Sequence, residues 1–186
     1  APLARLSRLD VGVITTVAPA HLEAFESIEG IAREKASILQ GVVPGGTAIL
    51  PTDIATAPIL METAAALGLR VIRFGASDAA DWRLTDISLT PDATVVRANA
   101  AGTPIVFKVR TPGRHFAPNA LAVLAAASAL GLDPTIAACD IGEWAPPAGR
   151  GTRERIVVYD LRGFGASRVP DALEETVALA DPLNVL

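Results

Sequence analysis

The chain has 186 residues, a length that suits one domain or one and a half, and at 51% hydrophobic it can bury a sizeable core. Net charge is -4 with Lys and Arg scattered, and aromatics make up only 4%, so neither a basic nucleic-acid footprint nor a base-stacking platform for nucleic acid is expected. One cysteine, Cys139, excludes an internal disulfide and paired-cysteine metal chemistry; in its Ala-rich setting it reads as a small buried hydrophobe, and a reducing cytoplasm fits. No apolar run reaches membrane-spanning length and no signal-peptide pattern opens the chain.

Val11 to Thr16 reads as a short buried strand. Ser27 to Gln40 reads as a helix capped by Ser27, with Ile28, Ile31, Ala32, Ile38 and Leu39 on one side. Pro44-Gly45-Gly46 is a turn signal, Thr47 to Leu50 a second strand, Ala57 to Leu67 a helix stopped by Gly68, and Arg70 to Phe74 a third strand. This β-α-β-α-β order with unbroken apolar strands predicts an α/β fold, a mostly parallel sheet flanked by helices.

The pattern then changes. Leu84 to Leu89, Thr94 to Asn99 and Pro104 to Val109 alternate with period two between turn signals, which predicts a small antiparallel β meander. Asn119 to Leu130 reads as an Ala-rich helix buried nearly all round, and Asp133 to Cys139 as a short helix after it. Residues 144–149 read as a Pro-rich loop, Ile156 to Tyr159 as a last strand and Asp171 to Leu179 as a last helix.

Two residues near the first strand carry chemistry. His21, one of two histidines, lies just past the strand, and Lys35 lies on the helix that follows. Ligands of open α/β sheets sit outside the carboxyl ends of strands, so a strand, a His-bearing turn and a Lys-bearing helix make a plausible site, against the plainer reading of a solvated lysine and a turn histidine.

The wording of this stretch is more specific. Thr15, Pro19-Ala20-His21-Leu22-Glu23, Phe25, Ser27, Glu29, Ile31-Ala32, Lys35 and Ile38 together resemble the central ATPase domain of the Mur ligases of peptidoglycan synthesis, from about Pro2 to Tyr159. Ala20-His21-Leu22-Glu23 is most like the members that join D-alanyl-D-alanine to UDP-N-acetylmuramoyl-tripeptide, so these two would be the partners. The resemblance implies residues 1–160 as the later part of a central ATP-binding domain and 161–186 as a diverged linker and the start of a C-terminal region. It also implies a cytoplasmic enzyme that phosphorylates a carboxylate with ATP and lets an amine attack the acyl phosphate.

Site residues follow from the same resemblance. Lys35 matches a lysine carbamylated in the family, which turns a cation into a carboxylate-like metal ligand. His21 matches a histidine that helps bind Mg²⁺. Asn119, in Gly113-Arg114-His115-Phe116-Ala117-Pro118-Asn119-Ala120-Leu121, matches an adenine contact. Arg150 matches a nucleotide-contacting arginine, with Arg153 and Arg155 nearby, and Asp160 matches a ribose-binding aspartate.

The chain also departs from the family pattern. Thr16 stands for an asparagine, and Phe116 replaces the first of two asparagines. Leu161-Arg162-Gly163-Phe164-Gly165-Ala166-Ser167 stands where the family has a longer motif. Asp53 lies where the family has an acidic pair and reads as the N-cap of the next helix over a ligand contact. His115 reads as structural, Asn119 equally as a helix-start residue, and Glu23 and Glu34 as nearby carboxylates, Glu34 on a solvated face.

The phosphate-binding pattern Gly-x-x-x-x-Gly-Lys-[Ser/Thr] occurs nowhere in these 186 residues. In the family it lies upstream of the strand matching Val11 to Thr16. The chain opens at Ala1 one short segment before a core strand, as a piece of a longer protein would, and alone it is not expected to turn over ATP. Two alternatives are a different ligase of the same type, such as a folylpolyglutamate synthase relative, and a degenerate non-catalytic domain kept for binding or scaffolding.

Overall fold

The computed structural model describes Ala4, Leu6, residues 8–18 and residues 27–144. One six-stranded sheet, in strand order β1 to β6, carries the domain. Its strands are β1 (Leu9–Val13), β2 (Val42–Pro51), β3 (Arg70–Gly75), β4 (Trp82–Leu89), β5 (Thr94–Ala100) and β6 (Thr103–Val109). β1 through β4 pair in parallel, and β4, β5 and β6 pair antiparallel, as the sequence pattern predicts.

Burial follows the strand period of two. In β2, Ala48 and Leu50 point to one face and Ile49 to the other, and all three are 0% exposed. On the Ala48 side lie α1 (Ile28–Ala36), a 3-10 turn (Ser37–Gly41) and α2 (Ala57–Ala66), which contribute Ile31, Ala36, Leu39, Leu60 and Ala64 to the core. On the Ile49 side lies α3 (Phe116–Ala129), followed by α4 (Pro134–Glu143). Leu121, Leu124 and the small residues Ala117 and Ala125 let α3 sit close against Phe74, Trp82, Val96 and Phe107. A strand buried on both faces reads as an unbroken apolar run, which is why β2 is legible in the sequence.

Several boundaries differ from the sequence reading. The helix after Ser27 ends at Ala36 and tightens into the 3-10 turn, which leaves Ile38 39% exposed rather than on the buried side. Pro44-Gly45-Gly46 does not precede β2 but bulges out of it. Leu9 pairs with Val42 and Val11 with Thr47, and Gly45 takes φ +77. α3 begins at Phe116, three residues before the expected start, so Asn119 is not a helix-start residue. Its last four residues are only half-buried and Val123 is 55% exposed, so α3 is not covered all round. Cys139 is exposed on α4 rather than buried. The Ser27 cap holds, its Oγ accepting from the Gly30 N–H at 3.1 Å, and Gly68 takes φ +64 at the end of α2. The strand and helix expected at 156–159 and 171–179, and the domain boundary at 160, lie outside the described residues. No helix among the described residues is long and apolar enough to cross a membrane.

The join between β3 and β4 positions everything after it. These strands share only two residue pairs, Phe74 with Trp82 and Gly75 with Arg83. β4 therefore starts where β3 ends, and its eight residues carry the meander roughly 20 Å beyond the carboxyl ends of the parallel strands. Because β5 and β6 each reverse direction, β6 again runs parallel to β1–β3, and α3 starts on the same side as their carboxyl ends.

Asp81 locks the free edge of β3 just before the join. Its Oδ2 accepts from the Arg73 N–H at 2.9 Å and from Arg73 Nε at 3.1 Å, and its Oδ1 accepts from Arg73 Nη2 at 2.8 Å. The guanidinium hydrogen bonds hold the Asp81 carboxyl below its ordinary value of 3.8. A carboxylate lowered on folding stabilises above its unfolded pKa, and that contribution is lost as pH falls through the folded value. Both side chains are more than a third exposed, so the pair contributes only about 0.5 kcal/mol. Urea unfolding of Asp81→Asn against the unsubstituted protein should show a gap of this size at pH 7 that closes as pH drops below 3.8.

Candidate functional site

The carboxyl ends of β1, β2 and β3 lie side by side, which is where an open α/β sheet receives ligands. Lys35, in the last turn of α1, reaches to the end of β1: its Nζ donates to the Thr16 carbonyl at 3.1 Å. Thr16 and Lys35 are thus brought together across nineteen residues. Lys35 is exposed, so its amine is open to ligand, solvent and carbon dioxide. Glu34 is also exposed, as expected of a solvated helix residue.

Asp53 follows β2 and is not the cap of α2, because Thr56 holds that place. Its carboxylate is turned the other way, onto the loop leaving β3. Oδ2 accepts from the Ala76 N–H, and Oδ1 accepts from the Ser77 N–H at 3.1 Å and from Thr52 Oγ1 at 2.9 Å. The Thr52 backbone N–H donates to the Phe74 carbonyl at 2.8 Å. Asp53 therefore stitches the ends of β2 and β3 into one ledge. Gly75 makes room for it: a Cβ there would stand 2.2 Å from Thr52 Oγ1 and 2.6 Å from Asp53 Oδ2, on a backbone with φ +151. The sequence signal for this ledge is Gly75 at the end of β3, whose partners only the fold reveals.

The second part of the site is the start of α3. Thr94, 0% exposed at the start of β5, has its hydroxyl 2.8 Å from the Thr111 carbonyl and accepts from the Gly113 N–H at 2.9 Å. This one side chain fixes the loop that carries Arg114, His115 and Phe116 into α3. The His115 and Phe116 rings lie 4.1 Å apart between centroids, and the Trp144 ring lies 6.4 Å from Phe116. Asn119 stands on the same helix face, three residues after Phe116 and four after His115, and its side chain has no hydrogen-bond partner among the described residues. Sequence reasoning passed over Thr94 and Trp144. A buried threonine in an alternating strand carries no local mark of its partners, and Trp144 is 25 residues from Asn119.

His21, Glu23, Arg150, Arg153, Arg155 and Asp160 lie outside the described residues. Among the described residues no group of three His, Cys, Asp or Glu side chains gathers as for a metal ion. The oxygens of Asp53 are already engaged, and Lys35 as an ammonium is a donor. These residues alone do not fit a divalent cation. A cavity of about 610 Å³ lined by Met61, Arg70, Ile72, Arg73, Trp82 and Ala129 lies toward the amino end of β3, away from this ledge.

The chain matches the Mur ligase middle domain over residues 1–127. The UDP-N-acetylmuramate–L-alanine ligase of Thermobifida fusca is 30% identical over 176 residues, covering 92% of this chain and 37% of that protein. That of Mycolicibacterium gilvum is 32% identical over 126 residues, covering 67% and 26%. The chain thus spans about a third of the length of these relatives. Among solved structures, MurF from Acinetobacter baumannii superposes with a TM-score of 0.74 at 24% identity over 82% of this chain and 33% of that one. MurF from Thermotoga maritima, in complex with ADP, gives 0.67 at 23% identity over 83% and 35%.

Two substitutions check the scaffold of this site by chemical denaturation. Gly75→Ala should lose 2 kcal/mol or more, as an order of magnitude, because a side chain is strained at φ +151 and clearing its Cβ would break the Thr52 and Asp53 hydrogen bonds to the end of β3 and the loop after it. Thr94→Val keeps the shape but leaves the Thr111 carbonyl and the Gly113 N–H unpaired in a buried place, and should cost about 1–3 kcal/mol.

Proposed function

Because this chain belongs to the Mur ligase middle-domain family, we propose that the protein carrying it is an ATP-dependent amide-forming ligase of peptidoglycan precursor synthesis. The γ-phosphoryl group of ATP passes to a carboxylate of a UDP-linked muramoyl acceptor, giving an acyl phosphate and ADP. An amine then attacks the acyl carbon, phosphate leaves, and an amide remains. The observation that carries this reading is Lys35 fixed at the carboxyl end of β1 by its bond to the Thr16 carbonyl. A positive or carbamylated group at that point would face the incoming phosphate and carboxylate oxygens, since ligands of open α/β sheets gather at the carboxyl ends of strands. A carbamate nitrogen keeps an N–H, so the bond to Thr16 survives the modification. Asn119 would contact the base, and Arg150 and Asp160 would complete the nucleotide site. Mg²⁺, if His21 and a carbamylated Lys35 hold it, would neutralise the meeting anions.

Two amines are in question. Ala20-His21-Leu22-Glu23 favours D-alanyl-D-alanine added to a UDP-muramoyl tripeptide. The relatives at 30–32% identity are L-alanine ligases, which favours L-alanine added to UDP-N-acetylmuramate. The family resemblance to folylpolyglutamate synthases is carried by fold, at 18% identity with a TM-score of 0.63 for the Lactobacillus casei protein.

The test is ADP release by the full-length protein with each acceptor and amine pair. ADP should form only when ATP, a UDP-muramoyl acceptor and one of the two amines are all present, and the productive pair names the substrate. Lys35→Met should lower turnover by about 10²–10³ with little change in stability, since the group is exposed. ADP release that ignores acceptor and amine, or a Lys35→Met protein with normal turnover, would sink the reading.

A further inference from the structure

The sheet has a gap where β4 leaves β3. The Thr52 N–H donates to the Phe74 carbonyl, so Phe74, Ile72 and Arg70 turn their backbone groups toward β2, and Gly75, Arg73 and Val71 turn theirs to the opposite edge. On that edge β4 pairs only with Phe74 and Gly75, and the Asp81 carboxylate takes the Arg73 N–H. Val71 therefore faces the gap with its N–H and its carbonyl side by side, the two groups through which one residue pairs with an antiparallel neighbour. The cavity of about 610 Å³ lies in this gap. It straddles the edge of β3 in the plane of the sheet: Met61 lines it from the α2 side, and Ile72, Trp82 and Ala129 line it from the α3 side. Its walls are thus apolar on both faces, and its charge is positive at one end. Arg73 and Asp81 neutralise one another. Arg70, at the amino end of β3, keeps its charge: its Nε donates to the hydroxyl of buried Thr47 at 3.1 Å, which ties the guanidinium to the sheet and leaves both Nη groups to donate elsewhere.

We propose that this gap is a second binding site, which takes a short free peptide with apolar side chains and a free carboxyl end as an added antiparallel strand on β3. The site stands at the opposite end of the parallel strands from Lys35 and does not depend on the ligase reading. Arg70 receives the terminal carboxylate, for which a guanidinium with two free Nη groups is the matching fork. Because Arg70 is at the amino end of β3, a peptide ending there runs against the strand direction. Its penultimate residue then exchanges two hydrogen bonds with Val71. Cross-strand partners share a face, and Val71 packs on the α2 side, so the penultimate side chain meets Met61. The last side chain falls on the other face, against Ile72 and Trp82. The uncovered stretch, Arg70 to Arg73, is roughly 13 Å long, and Asp81 closes its far end by holding the Arg73 N–H. A ladder stopped by an aspartate after one pair holds about two or three residues and gives a longer chain nothing more to pair with. That favours a short free peptide over the tail of a folded protein.

The experiment is calorimetric titration of the full-length protein with four probes: acetyl-Leu-Leu, its carboxyl-terminal amide, its analogue methylated on the acetylated nitrogen, and acetyl-Gly-Gly-Gly-Leu-Leu. Acetyl-Leu-Leu should bind with Kd on the order of 0.1 mM. The amide should bind about tenfold more weakly, because the charge that Arg70 meets is gone. The methylated analogue should also lose about tenfold, because it has no N–H for the Val71 carbonyl. Arg70→Gln should bring acetyl-Leu-Leu down to the affinity of its amide and leave the amide's own affinity unchanged, a pattern that a general loss of fold does not give. The glycine-extended probe should bind no more tightly than acetyl-Leu-Leu. No heat with acetyl-Leu-Leu up to about 5 mM would overturn the site. Equal affinity for the acid and the amide in the unsubstituted protein would overturn the role of Arg70, and with it the proposal. Equal affinity for the methylated and unmethylated peptides would overturn pairing with β3. Binding of the extended probe about tenfold more tightly would overturn the short free peptide and identify a protein tail as the occupant.

Discussion

A two-pair junction between β3 and β4 is the constraint on which the rest of the domain depends. With only Phe74–Trp82 and Gly75–Arg83 in register, the polypeptide steps sideways and forward at once. The parallel strands stop, and the meander continues past them. Two pairs are a weak ladder by themselves, and side chains secure it from both ends. Asp81 holds the edge of β3 through Arg73, and Asp53 holds the loop that leaves it through the Ala76 and Ser77 N–H groups. The second bond set exists only because Gly75 has no Cβ. A small residue, an aspartate from the neighbouring strand end and a bidentate arginine together do what more strand pairing does elsewhere in the sheet.

This step determines where α3 begins. β6 returns to the direction of the parallel strands at the far end of the meander, and Thr94 ties the loop that follows it back to the first residue of β5. From there α3, fourteen residues and about 21 Å long, runs back across the sheet and packs on β1 through β5. Its alanines are the reason it lies close enough to do so. The same helix therefore serves two ends: its first turn carries Phe116 and Asn119 out beyond the parallel strands, and its later turns close the core over Ile49 and Phe74.

The parts of this design that repeat a period were legible in the sequence. The doubly buried β2, the alternating meander strands and the Gly68 stop all follow from local pattern. The resemblance put Lys35 in one motif with the strand end, but its bond to the Thr16 carbonyl emerges only in the fold. What failed depended on partners distant in sequence. Asp53 is a good N-cap by type, but the β3 loop lies 23 residues away and offers two N–H groups, and those two bonds outweigh one cap. Ile38 lost its buried place because the helix tightened after Ala36, a change of pitch that a 3.6-residue period does not register. Cys139 was assigned to the core by composition, whereas α4 turns only Ala138 and Gly142 fully inward. The amine specificity is hidden for a different reason: the signature Ala20-His21-Leu22-Glu23 and the overall identity to L-alanine ligases point to different members of one family.

The geometry separates two jobs along the strand direction. Lys35 and the Asp53 ledge stand at the carboxyl ends of β1–β3 and carry the charged side chains there. The ring cluster stands at the start of α3, displaced by the length of the β4–β5 hairpin, and is uncharged apart from its imidazole. A compact ligand would use one end or the other. Because the two ends are joined only through the β3–β4 step and α3, a change in that step alters the spacing between them without touching either. Gly75 and Thr94 therefore govern the spacing between Lys35 and the ring cluster.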